Sequence, residues 1–193
     1  MAYPTVSAPY GFKPINSVDG KPYAGATRQY AIEGSANIFY GDLVKIVAGE
    51  VLPFVPGTDE NPAGVFVGAQ YTNSMGQTIQ GQYYPSGSAN GIAYVVVDPQ
   101  AAYQVAVTAT SGGAVVSTTT IAAIGSNMEV FAGTGNTTTG DSGMSIDAGS
   151  EAVTSTLPVR VVDVVPATKT STGYPELIVK INVTQFDSAT GVV

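Results

Sequence analysis

The sequence predicts an all-β protein, with a β-barrel or jelly-roll-like body preceded by an extended N-terminal arm. Short runs rich in Val, Ile, Thr and Tyr recur along most of the 193 residues, and turn residues separate them. Only 11% of the residues are charged, whereas 23 are Gly and 12 are Pro, which is typical of many short strands and turns. A chain of this length can bury a sufficient core without disulfides or metals.

The predicted arm comprises residues 1–25, and the predicted body comprises residues 26–193. Four prolines favour extended backbone in the arm, and its apolar residues follow neither a helical nor a strand period. Because disordered tails are poor in aromatic residues, we expect the arm to be mobile in the free subunit and ordered against a partner. The alternative is an arm that packs on its own body. The candidate partner-binding residues are Tyr3, Pro4, Tyr10, Phe12, Pro14 and Tyr23.

The body is predicted to contain many strands and almost no helix. The Ala48-Gly49 pair predicts a hairpin, and a second small β unit is expected to begin near Tyr103. The segments near residues 38 and 121 are the only short helix candidates, and residues 132–143 are expected to form a long flexible loop. The predicted strands lie in ATRQYAI, GDLVKIV, EVLPFV, GVFVGAQYT, TIQGQYY, GIAYVVVD, YQVAVTA, NMEVFAG, TLPVRVVDVV and ELIVKINVTQF.

The residue types argue against an enzyme. The chain has no Cys, no His and no Trp, so a cysteine nucleophile, a histidine base and a sugar-stacking indole are all missing. Gly140-Asp141-Ser142-Gly143 matches the serine-protease nucleophile sequence, but a serine needs a positioned base, and no Ser-x-x-Lys pattern supplies one. Gly133-x-Gly135 lacks the third glycine of a dinucleotide site. We therefore expect no catalytic residue and no cofactor.

Asp141, Asp147 and Glu151 lie in a Gly/Ser-rich stretch, where oxygen ligands could hold Ca²⁺. Their spacing matches neither an EF-hand nor a nonapeptide repeat, so the prediction is no metal, with a calcium loop as the open alternative.

Charge and hydropathy argue against nucleic-acid and membrane partners. The net charge is −7, and no Lys or Arg occurs between Lys45 and Arg160. A long acidic interval of this kind repels phosphates. No stretch of about 18 apolar residues is present, and the first residues lack the features of a signal peptide. We therefore expect a soluble protein that does not use a signal peptide.

Several blocks, in order along the chain, resemble structural proteins of tailed bacteriophages, some of which act as capsid decoration, or cement, proteins. The blocks are PYGFKPIN, GKPYAGATRQYAI, GDLVKI, GVFVGAQYT, DPQAAYQVAV, IGSNMEVFAG, GTGNTTTGDSGMSID and TSTLPVRVVDVV. GDLVKI and GVFVGAQYT resemble the small β unit of head decoration proteins of the lambda type, although this chain is much longer.

The resemblance implies a homo-oligomeric virion protein, assembled in the host cytoplasm, that sits on the outer capsid surface. Its partners would be the major capsid protein and neighbouring copies of itself, and the six candidate residues of the arm would bind the capsid. The alternative is a tail or fibre-associated protein involved in host attachment, although no short repeat typical of a fibre is present. A carbohydrate-active β-sandwich is disfavoured because His, Trp and Cys are missing.

Overall fold

The computed structural model describes residues 5–22, 27–59, 61–109, 114–116, 121–168 and 173–188. The predicted all-β class is confirmed, because these residues form two sheets that close or nearly close into barrels. The strands are β1 (Lys13–Ser17), β2 (Arg28–Ile32), β3 (Leu43–Val47), β4 (Glu50–Pro53), β5 (Gly64–Thr72), β6 (Thr78–Gly81), β7 (Ala89–Val96), β8 (Ala101–Thr108), β9 (Asn127–Met128), β10 (Val130–Phe131), β11 (Ser145–Asp147), β12 (Val159–Val164) and β13 (Glu176–Ile181).

The first barrel consists of β2 to β7. Its strand order is β3-β4-β2-β7-β5-β6, and an additional pairing between β3 and β5 closes the ring and leaves β6 on the outside. Side chains such as Val44, Phe66 and Val95 fill its interior, which is the inner core. These residues alternate with outward-facing ones along their strands, as expected for a barrel.

A two-residue turn connects β3 to β4. Val47 lies opposite Glu50, so Ala48 and Gly49 form the loop between the strands. Their φ angles are 51° and 86°, the pattern of a type I′ turn, whose twist matches that of antiparallel strands. The hairpin predicted from the Ala48-Gly49 pair is thus confirmed.

The second barrel consists of β8 to β13, with β1 added to it. Its strands follow the order β10-β11-β8-β13-β12-β9. Only Glu129 separates β9 from β10, and this continuous segment pairs with β12 through β9 and with β11 through β10. The sheet therefore nearly closes on itself. The chain passes from the first barrel to the second between Val96 and Ala101.

A second hydrophobic cluster, the shared core, fills the interior of the second barrel and also includes residues of the first. Leu43, Val65 and Val96 face outward from the first barrel and belong to the same buried cluster as Val105 and Leu177 of the second. All five side chains have 0% exposure. Since this shared core is continuous across the junction, the two barrels form one packed body.

Helix is minimal in the described residues. The candidate near residue 38 forms an isolated β-bridge between Ile38 and Tyr84, and the candidate near residue 121 contains a 3₁₀ helix over Ile121–Ala123. A second 3₁₀ helix spans Ala148–Ser150. No helix in the described ranges is long and apolar enough to cross a membrane.

Candidate partner-binding site

The candidate residues of the predicted arm fall into two groups. Tyr3, Pro4 and Tyr23 lie outside the described residues. Tyr10, Phe12 and Pro14 are described, and all three contact the protein's own body. Whether any of the six also binds a capsid stays a prediction.

Residues 13–17 form strand β1, which pairs antiparallel with β8 and places Pro14 opposite Tyr103. The Phe12 ring just before this strand has 0% exposure, belongs to the shared core, and packs edge-on against Tyr103 at a centroid distance of 6.2 Å. This differs from the expectation of an arm that is free in the isolated subunit. The reason is that Phe12 finds an apolar site where the two barrels meet. The described residues therefore follow the alternative in which the segment packs on its own body.

Tyr10 is hydrogen-bonded to the second barrel through the buried carboxyl group of Glu176. Its hydroxyl donates a hydrogen bond to Glu176 Oε1, and the Gln104 side-chain amide donates to the same oxygen at 2.8 Å. Lys13 Nζ lies 4.2 Å from the centroid of the Tyr10 ring, within cation–π range. Burial, followed by the neighbouring Glu176, raises the pKa of Tyr10 well above its usual value, so the phenol stays protonated.

A glycine lets the N-terminal segment approach the junction of the barrels. Gly11 has a φ of +77°, and a Cβ at this position would lie 2.6 Å from both the Gly41 carbonyl oxygen and Ser142 Cβ. The Gly11 amide donates to the Met144 carbonyl at 3.1 Å, and the Phe12 amide donates to the Gly41 carbonyl at 2.9 Å. Only glycine meets both requirements, a left-handed backbone and close contact.

Asp42 lies buried at the same junction, immediately before β3. Its Oδ2 accepts the Phe39 amide at 2.7 Å, and its carboxyl group also hydrogen-bonds the Ser142 side chain. Burial raises the pKa of Asp42 to about 6, although both hydrogen bonds act in the opposite direction. The junction therefore contains a carboxyl group whose pKa is raised to about 6.

A cleft of about 690 Å³ lies beside this junction, between residues 7–10 of the N-terminal segment and residues 131–134. Asn136, Thr139 and residues 141–143 complete the lining, and among the described residues that line the cleft only Asp141 is charged. Gln82 Nε2 donates to Asp141 Oδ1 at 3.0 Å. Tyr10, which the sequence singled out, is part of this cleft, whereas Phe12 is not.

Residues 132–143, which the sequence predicts to be a flexible loop, form one wall of the cleft. This loop is held to the first barrel. The Tyr40 amide donates to the Gly140 carbonyl at 2.9 Å, and the Ser142 amide donates to the Tyr40 carbonyl at 2.9 Å. A Cβ at Gly135 would lie 2.2 Å from the Phe39 ring, so the glycine permits the loop to lie flat on that ring. The same glycines that predicted flexibility permit close packing, and the sequence alone does not separate the two roles.

The residues that resembled chemical motifs have structural roles. Ser142 is 2% exposed, and its hydroxyl accepts the Met144 amide at 2.9 Å, so it is not an open nucleophile. Asp147 accepts the Gly149 amide at 2.8 Å and caps the 3₁₀ helix. Across the described ranges, no three His, Cys, Asp or Glu side chains are grouped to hold a metal.

No protein-family model, no curated protein and no solved structure matches this chain. Function is therefore inferred from the geometry of the described residues and from the resemblance carried by the sequence blocks.

Proposed function

We propose that this chain is a non-enzymatic structural protein of a tailed-phage virion, which binds the outer capsid surface and bridges neighbouring major capsid proteins. The observation that carries the proposal is one packed body with strongly exposed apolar side chains on both barrels. A bridging protein needs at least two contact surfaces on a rigid frame. The order of the sequence blocks that resemble phage structural proteins supports the same conclusion.

The first contact surface is the turn between β5 and β6. Met75, at its tip, is 83% exposed. The turn is ordered by Asn73, whose Oδ1 accepts the Met75 amide at 3.0 Å and the Gln77 amide at 2.9 Å. Residues 61–97, which include this turn and the strands on either side of it, contain no charged side chain, so the turn itself adds no charge that has to be dehydrated on binding.

The second contact surface lies on the second barrel, around the start of β9. Val153 is 95% exposed and Ile121 is 74% exposed. The segment of Val153 is held against β9 by Asn127, which exchanges main-chain hydrogen bonds with Ala152 and donates its side-chain amide to the Thr154 carbonyl at 2.9 Å. Because the main chain of this segment is already hydrogen-bonded, covering Val153 orders little additional backbone.

Scattered exposed apolar residues are normal on protein surfaces. Side chains as exposed as Met75 and Val153, on hydrogen-bonded segments of different barrels, are more typical of residues that a partner covers. The low charge of the chain favours contact with a large protein surface over contact with polyanions.

The proposal is tested on heads prepared with and without the protein. Wild-type protein should bind the heads and raise the temperature at which they release DNA, because a ligand that binds only the intact lattice stabilises it. M75Q and V153T should each weaken binding by roughly fivefold or more, the effect of losing about 1 kcal/mol at an interface. V55T, at a valine that is 47% exposed elsewhere on the surface, is the matched control. The proposal is contradicted if adding the protein does not change the temperature at which heads release DNA, or if the protein is found only on tails.

A further inference from the structure

The cleft beside the N-terminal segment has unpaired main chain on two sides. Strand β10 pairs with β11 on one edge, and its chain continues into Ala132, Gly133 and Thr134 along the cleft. Within the described part of the chain, the N–H and C=O groups of these three residues make no hydrogen bonds. The same is true of Ser7 and Ala8 on the opposite side. The cleft therefore lies between two stretches of backbone that can still pair.

Unpaired backbone at the end of a sheet is a template for another extended chain. Along the β10 continuation, Ala132 and Thr134 are exposed, whereas Phe131 and Gly133 are half-buried, which is the alternation of a strand. The side chains that face the cleft here are small, so a second backbone can come close. At about 690 Å³ the cleft has room for several residues.

The charge of the cleft selects among extended segments. Of the described residues that line it, only Asp141 is charged, and Asp141 already accepts a hydrogen bond from Gln82. A Lys or Arg on the incoming chain would complement this carboxylate, whereas an Asp or Glu would be repelled.

We infer that this cleft binds an extended segment of a partner protein, which pairs with the unpaired main chain of residues 132–134 and 7–8 and places a basic side chain beside Asp141. The identity of the partner rests on the proposed function, in which the major capsid protein supplies the segment. The mode of binding depends only on the backbone and charge of the cleft.

The probe is an array of overlapping peptides from all virion proteins of the source phage, each about 10 residues long, the upper range of a strand. The full chain should bind a small set of these peptides, each carrying Lys or Arg. A132W fills the cleft and should weaken their binding by about tenfold or more. A89W, at an exposed alanine that begins β7 and lines a separate cleft, is the matched control and should bind normally. Thermal melting verifies that both variants are folded.

D141N tests the charge. Binding should weaken several-fold for the selected peptides, and its salt dependence should decrease, because one ion pair is lost. The inference is overturned if wild-type protein binds no peptide, or if A132W binds the selected peptides as well as A89W does. Selected peptides from a virion protein other than the capsid protein would contradict the proposed function and leave the cleft assignment standing.

Discussion

Asp42 is deeply buried where the residues before β3 meet the segment around residue 142. It is 6% exposed, and its carboxyl group contacts the Phe39 amide and the Ser142 side chain. Because its pKa is about 6 in the folded protein and about 4 in an unfolded chain, the folded state binds this proton more tightly. The free energy of unfolding should therefore fall as the pH rises from about 4 to about 6, by about 3 kcal/mol for a shift of this size.

Substituting Asp42 by Asn removes the titration and keeps an acceptor for the Phe39 amide. Urea unfolding of D42N should show a smaller loss of stability between about pH 4 and about pH 7, so that the variant gains on the wild type as the pH rises. D98N is the control. It makes the same substitution at an aspartate whose carboxylate accepts the Gln100 amide in an exposed hydrogen bond rather than a buried one. Parallel pH profiles for wild type and D42N would show that Asp42 does not titrate in this range.

At the scale of single elements, the β3–β4 hairpin carries an avoidable strain. Ala48 has a φ of 51° in its type I′ turn, a region in which a Cβ is unfavourable. A48G should raise the free energy of unfolding by about 0.5–1 kcal/mol. G49A should lower it by about 1 kcal/mol, purely through backbone conformation, because a Cβ on Gly49 would meet no atom within 4 Å. Denaturant midpoints measure both, and a reversal of either sign would contradict the turn assignment.

Strand β1 and the Phe12 ring before it make the N-terminal segment part of the fold. F12A should lower the free energy of unfolding by about 3–5 kcal/mol, as expected for a fully buried Phe. Deleting residues 1–17 should cost more, since the pairing with β8 is lost as well. V18A is the control, because Val18 follows β1 and is 37% exposed. If the truncated protein has the same melting temperature as the full chain, the N-terminal segment is instead the free arm expected from the sequence.

At the scale of the whole molecule, the shared core couples the two barrels. Leu43 belongs to the first barrel but packs in the cluster that contains the interior of the second. Calorimetry should therefore show one transition, with equal calorimetric and van't Hoff enthalpies. L43A should lower the free energy of unfolding by about 2–5 kcal/mol and speed hydrogen exchange in both barrels. Two separate transitions would show that the barrels unfold independently.

Runs of β-branched and aromatic residues correctly predicted the strands that they form. The run GVFVGAQYT coincides with β5, and the run from Glu176 contains β13, because β-branched and aromatic residues favour extended backbone wherever they cluster. The Ala48-Gly49 turn needed no distant partner to be recognised. The missing His and Cys likewise limited the chemistry before any fold was known.

The tertiary structure decided which segments pair. Strand β11 is only three residues long, too short for a period, and it exists because it pairs parallel with β8 and antiparallel with β10. Of the six candidate residues, Tyr10 lines the cleft and Phe12 enters the core, although both lie in the same aperiodic segment.

The sequence by itself determined the β class, the turn positions and the low charge, because backbone propensity and solubility are properties of residues and their near neighbours. Only the tertiary structure decided that residues 7–10 and 131–143 enclose one cleft and that two barrels share one core. The reason is physical: pairing and packing join residues far apart in the chain, and the free energy of such contacts depends on how the whole chain is arranged.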